Sequence, residues 1–173
     1  CAYDAPISLS GMKSEGIIAI DTLKHTISGV GGIIGGATKG TSISDCSNSS
    51  KVSVKENKAK TNGCSVHVGG IAGRIFGGEV IIKSCTNSAR IESRHFNNKP
   101  WSSYNGNVAG GIVGSVGYSE GNNFPATIED CQNSGTVFSS RGASGGIAGY
   151  VSKGTMTGCS FTGSITRSAP GGG

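Results

Sequence analysis

The sequence predicts an all-β protein, specifically a parallel β-solenoid of about four glycine-rich repeats. Two observations carry this prediction: a glycine-aliphatic motif that occurs four times, and a cysteine-centred block whose internal spacing stays constant. A third observation supports it. No window free of glycine places apolar residues at positions i, i+3, i+4 and i+7, as an amphipathic helix requires.

The first motif is a glycine doublet followed by two aliphatic residues and a third glycine. It occupies residues 31–35, 69–73, 110–114 and 145–149, so the doublets recur every 35 to 41 residues. A period of this length is typical of repeat architectures, in which one unit cannot bury its apolar face alone and stacking supplies the core. Glycine permits sharp bends and close backbone approach, so the doublets are expected at corners between short strands.

In the second block, a cysteine lies three residues after one aliphatic residue and six before another. The four copies are Ile43-Cys46-Val52, Ile82-Cys85-Ile91, Ile128-Cys131-Val137 and Met156-Cys159-Ile165. Equivalent positions of a stacked solenoid align with neighbours about 4.8 Å apart. We therefore expect Cys46, Cys85, Cys131 and Cys159 to form one structural column of small buried side chains, with reduced thiols favoured over disulfides. Cys1 and Cys64 lie outside this column.

An asparagine follows three of these cysteines, two residues further on. These residues, Asn48, Asn87 and Asn133, are expected to stack into a second structural column, an amide ladder along the solenoid axis that pairs backbone groups at a corner. Phe161 takes the fourth position, either as an aromatic lid near the end of the solenoid or as an isolated aromatic residue on a late turn.

The regular motifs divide the chain into three parts. Residues 1–28 contain apolar patches without the full motif and are predicted to be an N-terminal cap or a degenerate first coil. Residues 29–168 are the four-repeat solenoid, and residues 169–173 are a C-terminal tail. Cys1 followed by Ala2 fits either a bacterial lipoprotein after signal removal, with a lipid anchor on the thiol, or a domain excised from a longer chain.

Composition favours a secreted, polar β-protein. Only 14% of the residues are charged, 31 of 173 are glycine, and the net charge is +5. Lys51, Lys55, Lys58 and Lys60 supply much of that charge and are expected in a solvated loop, since no aromatic residue interleaves them as a nucleic-acid platform would. No apolar run reaches the roughly 20 residues of a transmembrane helix.

The stretch from Val68 to Ile91 resembles the GLUG repeat. The resemblance lies in the glycine, hydrophobic, hydrophobic, glycine core at 32–35, 70–73, 111–114 and 146–149, together with the I-x-x-C-x-N-S pattern downstream, and covers about residues 29 to 168. GLUG repeats occur in secreted and surface proteins of bacteria, including adhesins. The resemblance implies an extracellular β-solenoid module and no catalytic residues.

Enzymatic and metal sites are not expected. Solenoid lyases and hydrolases use clustered carboxylates, but the adjacent pair Glu129-Asp130 lies where neighbouring side chains point to opposite faces, and only Asp45 matches it in another repeat. His25, His67 and His95 are not at metal-ligand spacing. The glycines are architectural, since no phosphate-binding motif is present, and no cofactor is expected.

The segment from Arg94 to Asn107 is the most function-like part of the sequence. It contains His95, Phe96, Trp101 and Tyr104, and a second insertion adds Tyr118. Exposed aromatic residues among Asn and Lys can stack on sugar rings or anchor a protein partner. The alternative is that these side chains fold back over a coil edge.

We therefore expect a non-enzymatic, extracellular or cell-surface structural or adhesive protein. A solenoid exposes unpaired strand edges at its ends, so identical subunits are expected to stack head to tail into a fibre, unless this is a module of a longer solenoid. The alternative function is a carbohydrate- or protein-binding module that uses the aromatic segment. A host or cell-surface glycan or protein is then the partner, and no nucleic-acid partner is expected.

Overall fold

The computed structural model describes residues 7–23, 29–38, 40–56, 66–76, 79–94, 107–117, 125–140 and 142–167. Within these residues the secondary structure consists of short β-strands, β1 to β23, with no helix. No helix in these ranges is therefore available to cross a membrane. The prediction of an all-β parallel solenoid is confirmed, because the strands pair in parallel between successive windings.

Five parallel sheets run along the molecule, and each takes at most one strand from any winding. Sheet A contains β1 (Ser8–Ser10), β6 (Ser42–Ser44), β11 (Val80–Lys83), β16 (Ala126–Glu129) and β21 (Gly154–Thr157). Sheet B contains β2 (Lys13–Ser14), β7 (Ser47–Asn48), β12 (Thr86–Asn87), β17 (Gln132–Asn133) and β22 (Ser160–Phe161). Sheet C contains β3 (Ile17–Leu23), β8 (Lys51–Glu56), β13 (Ile91–Arg94), β18 (Thr136–Ser139) and β23 (Ser164–Arg167).

The other two sheets have four strands each. Sheet D contains β4 (Gly29–Gly31), β9 (His67–Gly69), β14 (Val108–Gly110) and β19 (Ala143–Gly145). Sheet E contains β5 (Ile34–Ala37), β10 (Ala72–Ile75), β15 (Val113–Val116) and β20 (Ala148–Val151). The chain visits the sheets in the order A, B, C, D, E and then begins the next winding.

The register places the repeat positions of the sequence directly over one another. Ile82 pairs with Ile43 on one side and with Ile128 on the other. Ile91 likewise pairs with Val52 and with Val137. Each column of aliphatic side chains therefore continues from winding to winding, which is how a repeat protein builds a core from units that have none alone.

The first winding, formed by residues 8–23, follows the same register. Leu9 pairs with Ile43 and Ile18 pairs with Val52. Met12 stands three residues after Leu9 and six before Ile18, the position that cysteine takes in the other windings. The predicted boundaries at 28/29 and 168/169 fall at or beside residues outside the described ranges, so they stay predictions.

One corner of every winding requires a left-handed backbone. The residue before Met12 or before each column cysteine has positive φ: Gly11 (65°), Asp45 (54°), Ser84 (52°), Asp130 (52°) and Gly158 (63°). Asp and Gly tolerate this region better than most residues. Asp130 thus lies at a turn and not, as expected, on a strand with Glu129.

The interior is divided into two hydrophobic clusters. The larger one contains Ile71, Ile112 and the three buried cysteines, and it lies between sheets A and E beside sheet B. The smaller one contains Val52 and Ile91 and lies between sheets C and D. The two aliphatic residues that flank Cys46 in the sequence, and the two that flank Cys85, therefore belong to different clusters.

Glycines make this division possible, because sheets D and E approach each other too closely for side chains. A Cβ atom on Gly73 would overlap the backbone nitrogen of Val30, and one on Gly114 would overlap the backbone nitrogen of Val68. The third glycine of the motif thus allows strands of neighbouring sheets to pack backbone against backbone.

Candidate functional site

The amide ladder is the central structural feature of the interior. Asn48 Nδ2 donates to Asn87 Oδ1 over 2.7 Å, and Asn87 Nδ2 donates to Asn133 Oδ1 over 2.8 Å. Each side chain also binds its own turn: Asn48 Oδ1 accepts from Ser50 N at 3.1 Å while Asn48 Nδ2 donates to Ser50 O at 3.0 Å. All three residues are buried. Their polar groups are thus satisfied where water cannot reach, as a buried amide requires.

The ladder ends where Phe161 replaces asparagine. Phe161 pairs in register with Asn133. Asn133 Nδ2, with no further amide above it, donates to the carbonyl oxygen of Gly146 at 2.7 Å. A Cβ atom on Gly146 would overlap the Phe161 ring, so the ring lies directly against that backbone.

The second glycine of the first three doublets is required by the same ladder. A Cβ atom on Gly70 would overlap Gly111 O and lie 2.7 Å from Cγ of Asn87. Gly32 has the corresponding relationship with Asn48, and Gly111 with Asn133. The glycine doublet and the asparagine, which are separate motifs in the sequence, are therefore two sides of one contact.

The column cysteines are free thiols. Each Sγ lies 3.1–3.4 Å from the carbonyl oxygen two residues before it and 3.6–3.9 Å from a carbonyl of the preceding winding. Burial raises the pKa of Cys46. A hydrogen bond between Cys85 and Cys131 lowers the pKa of Cys85 and raises that of Cys131. Cys46, Cys85 and Cys131 are buried, whereas Cys159 is only partly covered.

A buried carboxylate on sheet C is surrounded by cations. Glu92 is 2% exposed, and its oxygens accept from Arg90 Nε at 3.2 Å and from Arg94 Nε, with Lys51 Nζ at 3.6 Å. Burial opposes ionisation of Glu92, but the hydrogen bond and charge of Arg94, with those of Arg90, outweigh it and hold its pKa below the ordinary value.

An aromatic ring of the next winding completes this cluster. Phe138 pairs with Glu92 in register. The guanidinium carbons of Arg90 and Arg94 lie 5.4 and 5.1 Å from the centre of the Phe138 ring, within the range of a cation–π interaction. We call Lys51, Arg90, Glu92, Arg94 and Phe138 the arginine clamp.

The arginine clamp was not predicted from the sequence. Lys51 and Lys55 lie on strand β8 and not in the solvated loop that was expected, while Lys58 and Lys60 lie outside the described residues. The available signal was the alternation of charge at residues 90, 92 and 94. Alternate residues of a strand share a face, so those three charges had to lie together.

His67 is buried in strand β9. Its Nδ1 atom is hydrogen-bonded to the Ser115 hydroxyl oxygen. Burial, and secondarily the positive charge of Arg74, lowers the pKa of His67 to about 3, so the ring is neutral at pH 7. This histidine takes part in the packing of the solenoid, and among the described residues no group of three His, Cys, Asp or Glu side chains could hold a metal ion.

The predicted ligand-binding residues cannot be compared with the structure. His95, Phe96, Trp101, Tyr104 and Tyr118 all lie outside the described residues. Their proposed role stays a prediction.

Stacked parallel windings, a continuous amide ladder and glycine contacts between sheets define the described chain as a parallel β-solenoid. Two stretches, residues 27–53 and 140–166, match the family model described as the GLUG motif, which confirms the resemblance predicted from the sequence. Each match runs from a sheet D strand to the sheet C strand of the following winding, one full turn. Comparisons with curated proteins and with solved structures gave no match.

Proposed function

We propose that this chain is a non-enzymatic structural solenoid of the bacterial cell surface or extracellular space, which joins copies of itself end to end. The observation that carries the proposal is the open C-terminal winding. Met156 and Ile165 pair with the buried residues Ile128 and Val137, yet they are 48% and 44% exposed. Core positions are thus left in solvent at this end, which an added winding would cover.

Backbone groups at this end also lack partners in the part of the chain that the structure describes. In earlier windings, the backbone N–H at the corner donates to the next winding, as Asp130 N does to Thr157 O. The carbonyl oxygen of the column cysteine accepts a hydrogen bond from the next winding, as Cys131 O does from Ser160 N. The equivalent groups, Gly158 N and Cys159 O, have no such partner among the described residues. Unpaired strand edges of this kind are templates for further pairing.

The N-terminal winding presents the complementary edge. Gly11 N donates to Ser44 O in the winding above, and Ser47 N donates down to Met12 O. By the same register, Ser10 O would accept from Gly158 N of a second copy, and Lys13 N would donate to Cys159 O. Sheets D and E end one winding earlier than sheets A, B and C, so this junction joins three sheets.

A junction between two different ends that continues the solenoid axis does not close into a ring. Repetition of such a heterologous contact yields an open filament. A filament of this kind suits a surface or matrix role, in agreement with the polar, weakly charged composition. No catalytic step is part of the proposal, since the conspicuous side chains serve packing and pairing.

Sedimentation velocity and negative-stain electron microscopy over a concentration series test the proposal. The wild-type chain is expected to form rods whose length grows with concentration. Ile165→Lys places a charge on the open end and should give monomers. Thr166→Lys is the matched control, because its neighbour in register, Phe138, faces outward, and it should assemble as wild type. A wild-type chain that stays monomeric at every concentration would refute end-to-end joining.

The aromatic segment supports the alternative function only through its sequence. Trp101→Ala, measured on a glycan array beside the wild-type chain, tests it. Loss of a binding signal would support the segment as a sugar-binding site, and an unchanged signal would assign the binding to another surface.

A further inference from the structure

The arginine clamp carries more positive charge than its own structure requires. Three cations, Lys51, Arg90 and Arg94, surround the single carboxylate of Glu92, which leaves two positive charges in excess. Arg90 and Arg94 are 40% and 41% exposed, whereas Glu92 is buried beneath them. The outward surface of the cluster is therefore cationic.

The two guanidinium groups are held in place and still have donors to offer. Each uses its Nε atom for Glu92, and among the described residues no acceptor pairs with the terminal Nη atoms. Both groups also contact the Phe138 ring, with their guanidinium carbons 5.4 and 5.1 Å from its centre. A guanidinium that is already ordered loses little conformational entropy when it binds an anion, and its paired N–H groups match a carboxylate or sulfate.

The cations extend over two windings in a regular pattern. Arg94 pairs with Lys55 in register, and Glu92 pairs with Ser53. Arg90 and Lys51 each lie four residues before these cations, on the same face of their strands. The Cα atoms of these cations are thus about 13 Å apart along the strands and about 4.8 Å apart between them, whereas the charged ends of Lys51, Arg90 and Arg94 converge on Glu92.

We propose that the arginine clamp binds an acidic glycan, a chain of sugar residues that carry carboxylate or sulfate groups, lying along the strands of sheet C. The guanidinium groups of Arg90 and Arg94, which converge on Glu92, meet an anionic group of the glycan, and their Nη donors face its oxygen atoms. The proposal is independent of end-to-end joining, because sheet C runs along the side of the solenoid.

A glycan fits this surface better than a nucleic acid does. Single-stranded nucleic acids bind through free aromatic faces that alternate with basic residues. Here the one ring of the clamp, Phe138, is taken up by the two guanidinium groups. The remaining groups are hydrogen-bond donors, which suits a ligand rich in anionic and hydroxyl oxygens.

Calorimetric titration of the full chain with short oligosaccharides tests the proposal. The probes are a heparin oligosaccharide (sulfate and carboxylate), an oligogalacturonate (carboxylate alone) and a neutral dextran oligosaccharide, all at one ionic strength. Binding is expected for one or both acidic probes and not for dextran. The comparison of the two acidic probes identifies which anion the clamp prefers.

Matched variants separate the clamp from general charge attraction. Arg90→Gln and Arg94→Gln should each weaken binding about tenfold or more, since a charge-assisted hydrogen bond is lost. Lys83→Gln removes the same charge from sheet A, where Lys83 pairs with Glu129 at 3.3 Å, and should change affinity less than about twofold. Arg94→Lys keeps the charge and serves as a second variant if Arg94→Gln fails to fold, as judged by its urea unfolding midpoint.

Three results would overturn the proposal. The first is the absence of binding to both acidic probes. The second is an equal loss of affinity in Lys83→Gln and in the arginine variants, which would show diffuse attraction. The third is tighter binding, at the same ionic strength, of a single-stranded oligonucleotide or of phosphatidylserine vesicles.

Discussion

Asn48 and Asn87 are 39 residues apart in the sequence, yet the side-chain amide of one donates to the side-chain oxygen of the other over 2.7 Å. Because Asn87 also donates to Asn133, it pairs the windings on both sides of it. This relationship shows how a chain with few large apolar residues aligns its windings. A one-residue slip would leave buried amide groups without partners, which the interior does not tolerate.

Replacement of Asn87 by Asp should therefore destabilise the solenoid strongly. The shape is kept, but the Nδ2 donor to Ala89 O and Asn133 Oδ1 is replaced by an acceptor. We expect a loss of about 3 kcal/mol or more in the free energy of unfolding, measured by urea denaturation at pH 7. Ser88→Ala, at the exposed neighbouring residue, should change it by less than about 0.5 kcal/mol. Equal effects of the two variants would mean that the ladder does not hold the windings together.

The glycine side of the ladder gives a second prediction. Gly70→Ala introduces a methyl group that overlaps Gly111 O and presses on Asn87, so we expect a loss of about 3 kcal/mol. Gly36→Ala is the same substitution at a place where the methyl group meets only the edge of the Phe76 ring, and it should cost less than about 1 kcal/mol. The thermal unfolding midpoints of both variants, compared with that of the wild-type chain, test this prediction. A milder effect at Gly70 than at Gly36 would contradict the close approach.

Much of this framework could be predicted from the sequence. The constant spacing around Cys46 and Cys85 was sufficient to place their columns, because residues at one repeat position must stack when the windings are in register. The winding at residues 8–23 was harder to recognise. Met12 replaces cysteine and Ser14 pairs with Asn48 in place of asparagine, although Leu9, Met12 and Ile18 keep the spacing.

Other features depend on tertiary contacts that no local pattern contains. Ile82 and Ile91 look like members of one core in the sequence, but the close approach of sheets D and E puts them in separate clusters. The burial of Glu92 depends on Phe138, 46 positions later and in the next winding. The insertions that contain Trp101 and Tyr118 break the repeat pattern, so periodicity offers no guide to them.

The pKa of His67 predicts how stability depends on pH. In the folded chain it is lowered to about 3 from an ordinary 6.5, so the unfolded chain binds the proton first as the pH falls. The contribution of neutral His67 is thus present above pH 6.5 and is lost on acidification towards pH 3, with a slope of about 1.4 kcal/mol per pH unit. In the next winding, Val108 takes the register position of His67. The variant His67→Val introduces the same residue type and should reduce this dependence of stability on pH. Parallel stability curves for variant and wild type between pH 7 and 4.5 would contradict the buried neutral histidine.

Thiol reactivity provides a further prediction, best measured in a Cys1→Ser, Cys64→Ser background. Cys159 is partly covered at the open end, whereas Cys46, Cys85 and Cys131 are buried. At concentrations where the chain is monomeric, a thiol reagent under native conditions should modify one cysteine quickly and the other three only on unfolding, with mass spectrometry to assign the sites. Rapid modification of all four thiols, or a disulfide within the column, would disagree with a closed interior.

The central claim is that equivalent side chains of successive windings lie directly over one another. Nuclear Overhauser contacts between asparagine side-chain amides, recorded on the protein labelled with ¹⁵N at asparagine, test it most directly. We predict contacts from Asn48 to Asn87 and from Asn87 to Asn133, none from Asn48 to Asn133, and slow hydrogen exchange for all three amides. Fast-exchanging amides without these sequential contacts would contradict the solenoid register.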